Sequence, residues 1–230
     1  MTAEPQVLKQ CERCAASFPV PADPLVAKHA RFCGACCAEA ESRREAERVA
    51  VQQERRAASW AALCPKAFRQ TVRELLPDPS KLDEVLAWRC ERGGVGLLLH
   101  GPTRTGKSRC AWELLRREHF TGRSVRAMSA MSGVDYAASF AEGASYAAAW
   151  LRRFVAADIL LLDDCVKARL TDSFEGALFA LVNERVDRCR PIVVTLNDTG
   201  ESLMARMTTD RGMPLVERLR EHCKAVAFTK

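Results

Sequence analysis

Residues 95–108 read VGLLLHGPTRTGKS, and this stretch decides the fold. Val95 to His100 is a short apolar run, long enough for one buried strand. Gly101 follows, and Gly106-Lys107-Ser108 completes the phosphate-loop pattern G-x-x-x-x-G-K-[ST]. A loop between a strand and a helix N-terminus can turn successive backbone N–H groups toward an anion. The helix behind it adds unpaired N–H groups and a positive dipole end. Residues 101–109 (Gly101, Pro102, Thr103, Arg104, Thr105, Gly106, Lys107, Ser108, Arg109) are therefore the expected nucleotide cradle. Lys107 would reach the β- and γ-phosphates, and the Ser108 hydroxyl would hold Mg²⁺. Helical spacing of Ala111, Leu114 and Leu115 supplies the helix the motif requires.

Downstream, residues 158–164 read DILLLDD. Apolar residues ending in acids describe a buried parallel strand whose carboxyl edge meets a ligand. Asp163 is placed to share the Mg²⁺ shell with Ser108, and Asp164 to orient or deprotonate an attacking water. Residues 174–188 form an amphipathic helix carrying Leu178, Leu181, Val182, Arg185 and Val186; Pro191 stops it. Ile192–Thr195 is a further strand, ending at Asn197, whose amide would sit beside the γ-phosphate or simply close a turn. Residues 203–220 read as a helix interrupted at Gly212 and Pro214, and 225–228 as a last strand.

The 230 residues give room for one ordinary core and a small appendage. No apolar run approaches the roughly 18 residues needed to span a bilayer, and the N-terminus lacks a signal-peptide core. A cytoplasmic protein with reduced thiols is expected. The net charge is +6, and most of the excess falls in residues 91–130, beside the phosphate loop. Arg116, Arg117, Arg123 and Arg126 crowd this region, either as a solvated face or as a groove for a nucleic-acid backbone. Tyr136, Phe140, Tyr146 and Trp150 follow, suited to helix packing or to base stacking.

At the other end, Cys11-x2-Cys14 and Cys33-x2-Cys36 have the spacing of a four-thiolate zinc site. In so short a segment the metal would replace an apolar core. A redox pair lacks its βαβ setting here, and Cys37 or His29 could substitute for one ligand. The intervening FPVPADP suits a ribbon or loop. Residues 38–60 mix Glu with Arg at helical spacing and read as a solvated linker helix rather than a coiled-coil seam. Phe68, Val72, Leu75 and Leu76 keep helical spacing, PDPS breaks the chain, and Leu82, Val85, Leu86 and Trp88 resume a helix. The expected divisions are 1–38 (zinc module), 39–63 (linker) and 64–230 (ATPase domain).

In order, GPTRTGKS, DILLLDD, TLN and LVERLR resemble the AAA+ ATPases of the DnaC/IstB group, over roughly residues 64–228. The resemblance implies an α/β P-loop αβα sandwich of about five parallel strands. It makes Lys107 and Ser108 phosphate and Mg²⁺ contacts, Asp163 the metal ligand, Asp164 the water-activating acid and Asn197 a sensor. Arg218, with Arg220 as neighbour, matches the finger that reaches an adjacent subunit's γ-phosphate. Implied with it are ATP, Mg²⁺ and Zn²⁺, self-assembly when ATP-bound, and loading of a hexameric replicative helicase onto single-stranded DNA. An IstB-like transposition helper and a nucleotide-gated adaptor with negligible turnover are the alternatives. The chain departs from the family at Arg104, where glycine or a small residue is usual, and at Asp164, shorter than the usual glutamate. Its end just after the fifth strand implies that the helical lid is missing.

Overall fold

The computed structural model describes residues 5–90, 94–129, 132–164, 171–197, 207 and 209–229. Contacts divide the chain into Met1–Arg55 and Arg56–Lys230. In the first unit, β1 (Gln6–Gln10) and β2 (Ser17–Pro21) form an antiparallel hairpin with Gln6 opposite Pro21. A short α1 (Pro24–His29) follows, so the FPVPADP segment is ribbon and loop as expected, up to its last proline, which opens that helix. Proline at the first helical position gives up an N–H that has no intrahelical partner anyway, and Asp23 Oδ1 caps Leu25 and Val26. Its buried side chains include three cysteines and Val20, with Phe18 packed beside the thiols. Helix α2 (Gly34–Leu63) starts inside the second cysteine pair and ends before Pro65, as expected.

The second unit is built on a parallel five-stranded sheet, ordered β4-β5-β6-β3-β7. These strands are β3 (Gly96–His100), β4 (Val125–Ser129), β5 (Ile159–Asp163), β6 (Ile192–Leu196) and β7 (Cys223–Ala227). The apolar runs bury both faces by strict alternation. Leu160, Leu162, Ile192 and Val194 enter one core, and Ile159, Leu161, Val193, Leu97 and Leu99 the other. Helices α3 (Pro79–Ala87) and α4 (Lys107–Phe120) cover the second core. The first is covered by α5 (Ser132–Glu142), α6 (Ala144–Ala156), α7 (Asp172–Asp187) and α8 (Thr209–His222).

Three expectations need correction. Phe68 to Leu76 is not a helix but two 3₁₀ turns, at Lys66–Phe68 and Arg73–Leu75. Val72 and Leu76, the residues flanking the second turn, are in extended conformations, so no α-helix runs through the stretch. The PDPS segment starts α3 rather than breaking the chain: Asp78 accepts from the Ser80 N–H at 3.0 Å and Pro79 occupies the first turn. Helix α8 runs through both Gly212 and Pro214, because burial of Leu215, Val216 and Leu219 outweighs one missing backbone bond. Leu203, where that helix was expected to begin, lies outside the described residues.

Arg185 is the largest fully buried side chain among the described residues. From α7 it donates to the carbonyls of Phe154 (2.6 Å), Pro191 (2.7 Å) and Ala157 (2.8 Å), and to those of Val155 and Asp158 (3.2 Å each). It thereby ties the end of α6 and the entries to β5 and β6 together. Burial pulls its pKa down to about 10, still far above neutrality, so the guanidinium stays charged.

Candidate nucleotide and metal sites

The loop leaves β3 at Gly101, whose φ is +136°. A Cβ there would lie 2.0 Å from the Phe228 carbonyl oxygen, so only glycine fits between β3 and the residue after β7. Gly106 (φ +96°) caps the start of α4. Arg104 between them also adopts a left-handed conformation (φ +65°), which glycine would take at no steric cost. Thr105 donates to the Pro102 carbonyl at 2.9 Å. Lys107 is 4 % exposed, and its ammonium donates to the carbonyls of Gly101 (2.8 Å) and Pro102 (2.6 Å). The loop thus folds round its own lysine at a helix N-terminus.

Asp163 ends β5 within one helix-width of that loop. Its Oδ1 accepts from the Ser108 hydroxyl and from the Thr195 hydroxyl, each at 2.7 Å. Its Oδ2 accepts from the Trp112 indole N–H at 3.1 Å. Asp164 turns away at φ +50°, its N–H donating to Thr195 Oγ1 at 3.1 Å. The Asn197 amide donates to Asp164 Oδ1 at 2.7 Å. A cavity of about 640 Å³ opens over this group. Thr103, Arg104, Gly106, Lys107, Ser108, Arg109, Asp164 and Asn197 line it, opposite Phe68, Leu75, Leu76 and Pro77. A serine hydroxyl and a carboxylate oxygen side by side are hard oxygen donors of the kind Mg²⁺ takes, next to a buried cation suited to phosphate. The residues present therefore fit Mg²⁺ and a nucleoside polyphosphate.

Arg218 is not among the lining residues; it is half-buried on α8, and Arg220 is exposed. Thr195, Trp112 and the apolar wall were missed. Thr195 was in view within TLN, but its hydroxyl reads as strand propensity until the partner strand is known. Of the crowded arginines, Arg116, Arg123 and Arg126 are exposed, and three of the four have an acid beside them. Glu118 pairs with Arg117 and with Arg123 (3.0 Å), Arg117 also caps the Leu86 and Trp88 carbonyls, and Arg116 pairs with Glu113. The aromatics divide: Tyr136 and Trp150 pack in the core, while Phe140 and Tyr146 are exposed.

In the first unit, the sulfurs of Cys11, Cys14, Cys33 and Cys36 lie within 4.8 Å of one another, and Cys14 and Cys33 are 3.6 Å apart. Tetrahedral Zn–S bonds of about 2.3 Å demand an S···S edge of roughly 3.8 Å, so the set fits zinc. Neither Cys37 nor His29 belongs to it; the Cys37 thiol faces the Phe32 carbonyl. The first pair spans a turn closed by the Ala15 N–H on the Cys11 carbonyl, and Cys36 sits in the first turn of α2. The backbone N–H of Cys33, foremost, lowers the Cys11 pKa to about 6, while hydrogen bonding with Cys14 and burial push Cys36 up. One thiolate is thus favoured even before a cation gathers the others. Among the described residues no helix is long and apolar enough to cross a membrane.

No protein-family model and no curated protein matches the chain. Solved structures do. DnaI aligns with a TM-score of 0.60 at 16% identity, over 72% of this chain and 95% of that one. The DnaC helicase loader gives 0.51 at 17%, over 65% and 87%. The replication initiator DnaA, bound to AMPPCP and single-stranded DNA, gives 0.53 at 16%, over 65% of this chain. The present chain spans only 44% of that DnaA chain. The second unit therefore shares the fold of DnaI, of the DnaC helicase loader and of part of DnaA, a parallel five-stranded α/β sheet with a phosphate loop after β3.

Proposed function

We propose that the second unit binds and hydrolyses ATP with Mg²⁺ as a helicase loader of bacterial or phage DNA replication. One observation carries this reading: Asp163 shares a hydrogen bond with Ser108 of the phosphate loop, while Asp164 next to it is held by Asn197. Ser108 and Asp163 would hold Mg²⁺, which when bound would neutralise charge on the phosphates. Lys107 would exchange its loop carbonyls for phosphate oxygens, and Asp164, steered by Asn197, would align water. The apolar wall of Phe68, Leu76 and Pro77 would face the base. Arg218, away from its own subunit's cavity, would act on a neighbour's nucleotide, so hydrolysis would require assembly. The zinc-bearing first unit would hold the replicative helicase, as the loader likeness of the second suggests. Single-stranded DNA would be bound by the assembled form, with Arg126 and the exposed Phe140 and Tyr146 available to it.

Lys107→Ala should abolish ATP binding in a fluorescence titration with magnesium. Arg218→Ala should leave that affinity within about twofold and reduce assembly-dependent hydrolysis by a factor of about 10³ or more. Normal turnover in the Arg218 variant would refute the trans arginine. Hydrolysis measured with a hexameric helicase, a transposase and single-stranded DNA in turn distinguishes a loader from a transposition helper. Absence of turnover in all three would favour an adaptor.

A further inference from the structure

Ser108 and Trp112 are one helical turn apart on α4 and share a face, so both reach the same carboxylate, that of Asp163. They do not hold it in the same way. Ser108 and Thr195 approach Oδ1 through hydroxyl groups, whose protons rotate to suit a new partner. Trp112 approaches Oδ2 through an indole N–H, a donor with one fixed direction.

That indole is itself immobile. Trp112 is 3 % exposed, lies parallel to Phe68 (centroids 6.2 Å apart, 10° between planes) and meets Trp60 edge-on at 5.9 Å. Phe68 also faces the cavity. We infer that Trp112 is a positioning residue: it fixes the plane of the Asp163 carboxylate, keeping Oδ1 turned toward Ser108 and a divalent cation. This rests on the nucleotide–Mg²⁺ reading of the site and extends it to a residue outside the phosphate loop. A neighbouring tryptophan supplies an internal control. Trp60 belongs to the same aromatic cluster, but its indole nitrogen is buried without a hydrogen-bond partner, so it contributes packing alone.

The test titrates Mg²⁺ into the full chain with an ATP analogue fluorescent at the ribose, and separately measures analogue affinity in EDTA. Trp112→Phe keeps an aromatic ring but removes the donor. It should raise the Mg²⁺ half-saturation about tenfold, the scale of losing a group that orients a metal ligand, and leave the EDTA affinity unchanged. Trp60→Phe should shift neither. On an Asp163→Ala background, Trp112→Phe should add nothing, because its acceptor is gone. An unchanged half-saturation in Trp112→Phe, or an equal shift in Trp60→Phe, would overturn the inference. If the Phe variant does not fold, the chain is made with benzothienylalanine, in which sulfur replaces each indole N–H. Of the four tryptophans, only Trp112 has a described bond to a site carboxylate, so the same tenfold shift is expected and its absence would overturn the inference. Failure of the unmodified chain to bind the analogue at all would instead defeat the nucleotide reading.

Discussion

The two units differ in what they bury. Around Cys11, Cys33 and Cys36 little else is buried, and the ligands that gather there come as two pairs three residues apart. In the second unit, two apolar cores flank the sheet, and the groups that meet at Asp163 are 32 to 55 residues away along the chain. A metal-centred fold depends on a few local ligands; a sheet-centred site depends on everything that sets strand order.

The largest effect should come from the sulfur cluster. Cys33→Ser, or a strong chelator, should remove the metal and unfold the first unit, since structural zinc contributes about 10 kcal/mol or more. Metal analysis and amide NMR should show that loss, with nucleotide affinity of the second unit retained. Acidification should act likewise, because ligating thiols must be deprotonated; metal should be lost as pH falls and regained as it rises. Retention of one zinc per chain by Cys33→Ser would sink the four-thiolate assignment.

Arg185→Met should do the reverse. It removes a donor from five carbonyls, of which only those of Ala157 and Pro191 keep another described one, from Arg190 and the Leu160 N–H. It should destabilise the second unit by more than about 3 kcal/mol, read from the urea midpoint, while zinc content stays at wild type. A midpoint equal to that of the unmodified chain would show that water replaces the guanidinium without cost. The smallest effect belongs to Arg104→Gly. Relief of a left-handed non-glycine residue should raise stability by about 1 kcal/mol, and a drop in the melting midpoint would show that the arginine is held by more than its backbone.

The residues show how far each region was legible. Both cysteine pairs, the phosphate loop and the acidic end of β5 were readable because each is a short motif whose members lie within a few residues of one another. The stretch from Phe68 to Leu76 misled, since its periodicity is helical but its backbone is extended at Val72 and Leu76. Arg185 read as one position on an amphipathic helix, and nothing near it in sequence announces that its partners are carbonyls at residues 154–158 and 191. The arginines of 116–126 read as a solvated face or as a groove; acids lie among the first three, and α4's geometry shows Glu118 serving two at once.

What the amino-acid order carried unaided was the loop, its lysine and serine, the acidic strand end and each cysteine pair, because each is written within a turn or two of backbone; that the two pairs meet is tertiary. Tertiary structure alone decided that β6 lies between β5 and β3, and hence that Thr195 and Asn197 stand beside Asp163 and Asp164. Strand order follows from how crossover helices bury their faces on the sheet, a cooperative outcome that no local window contains.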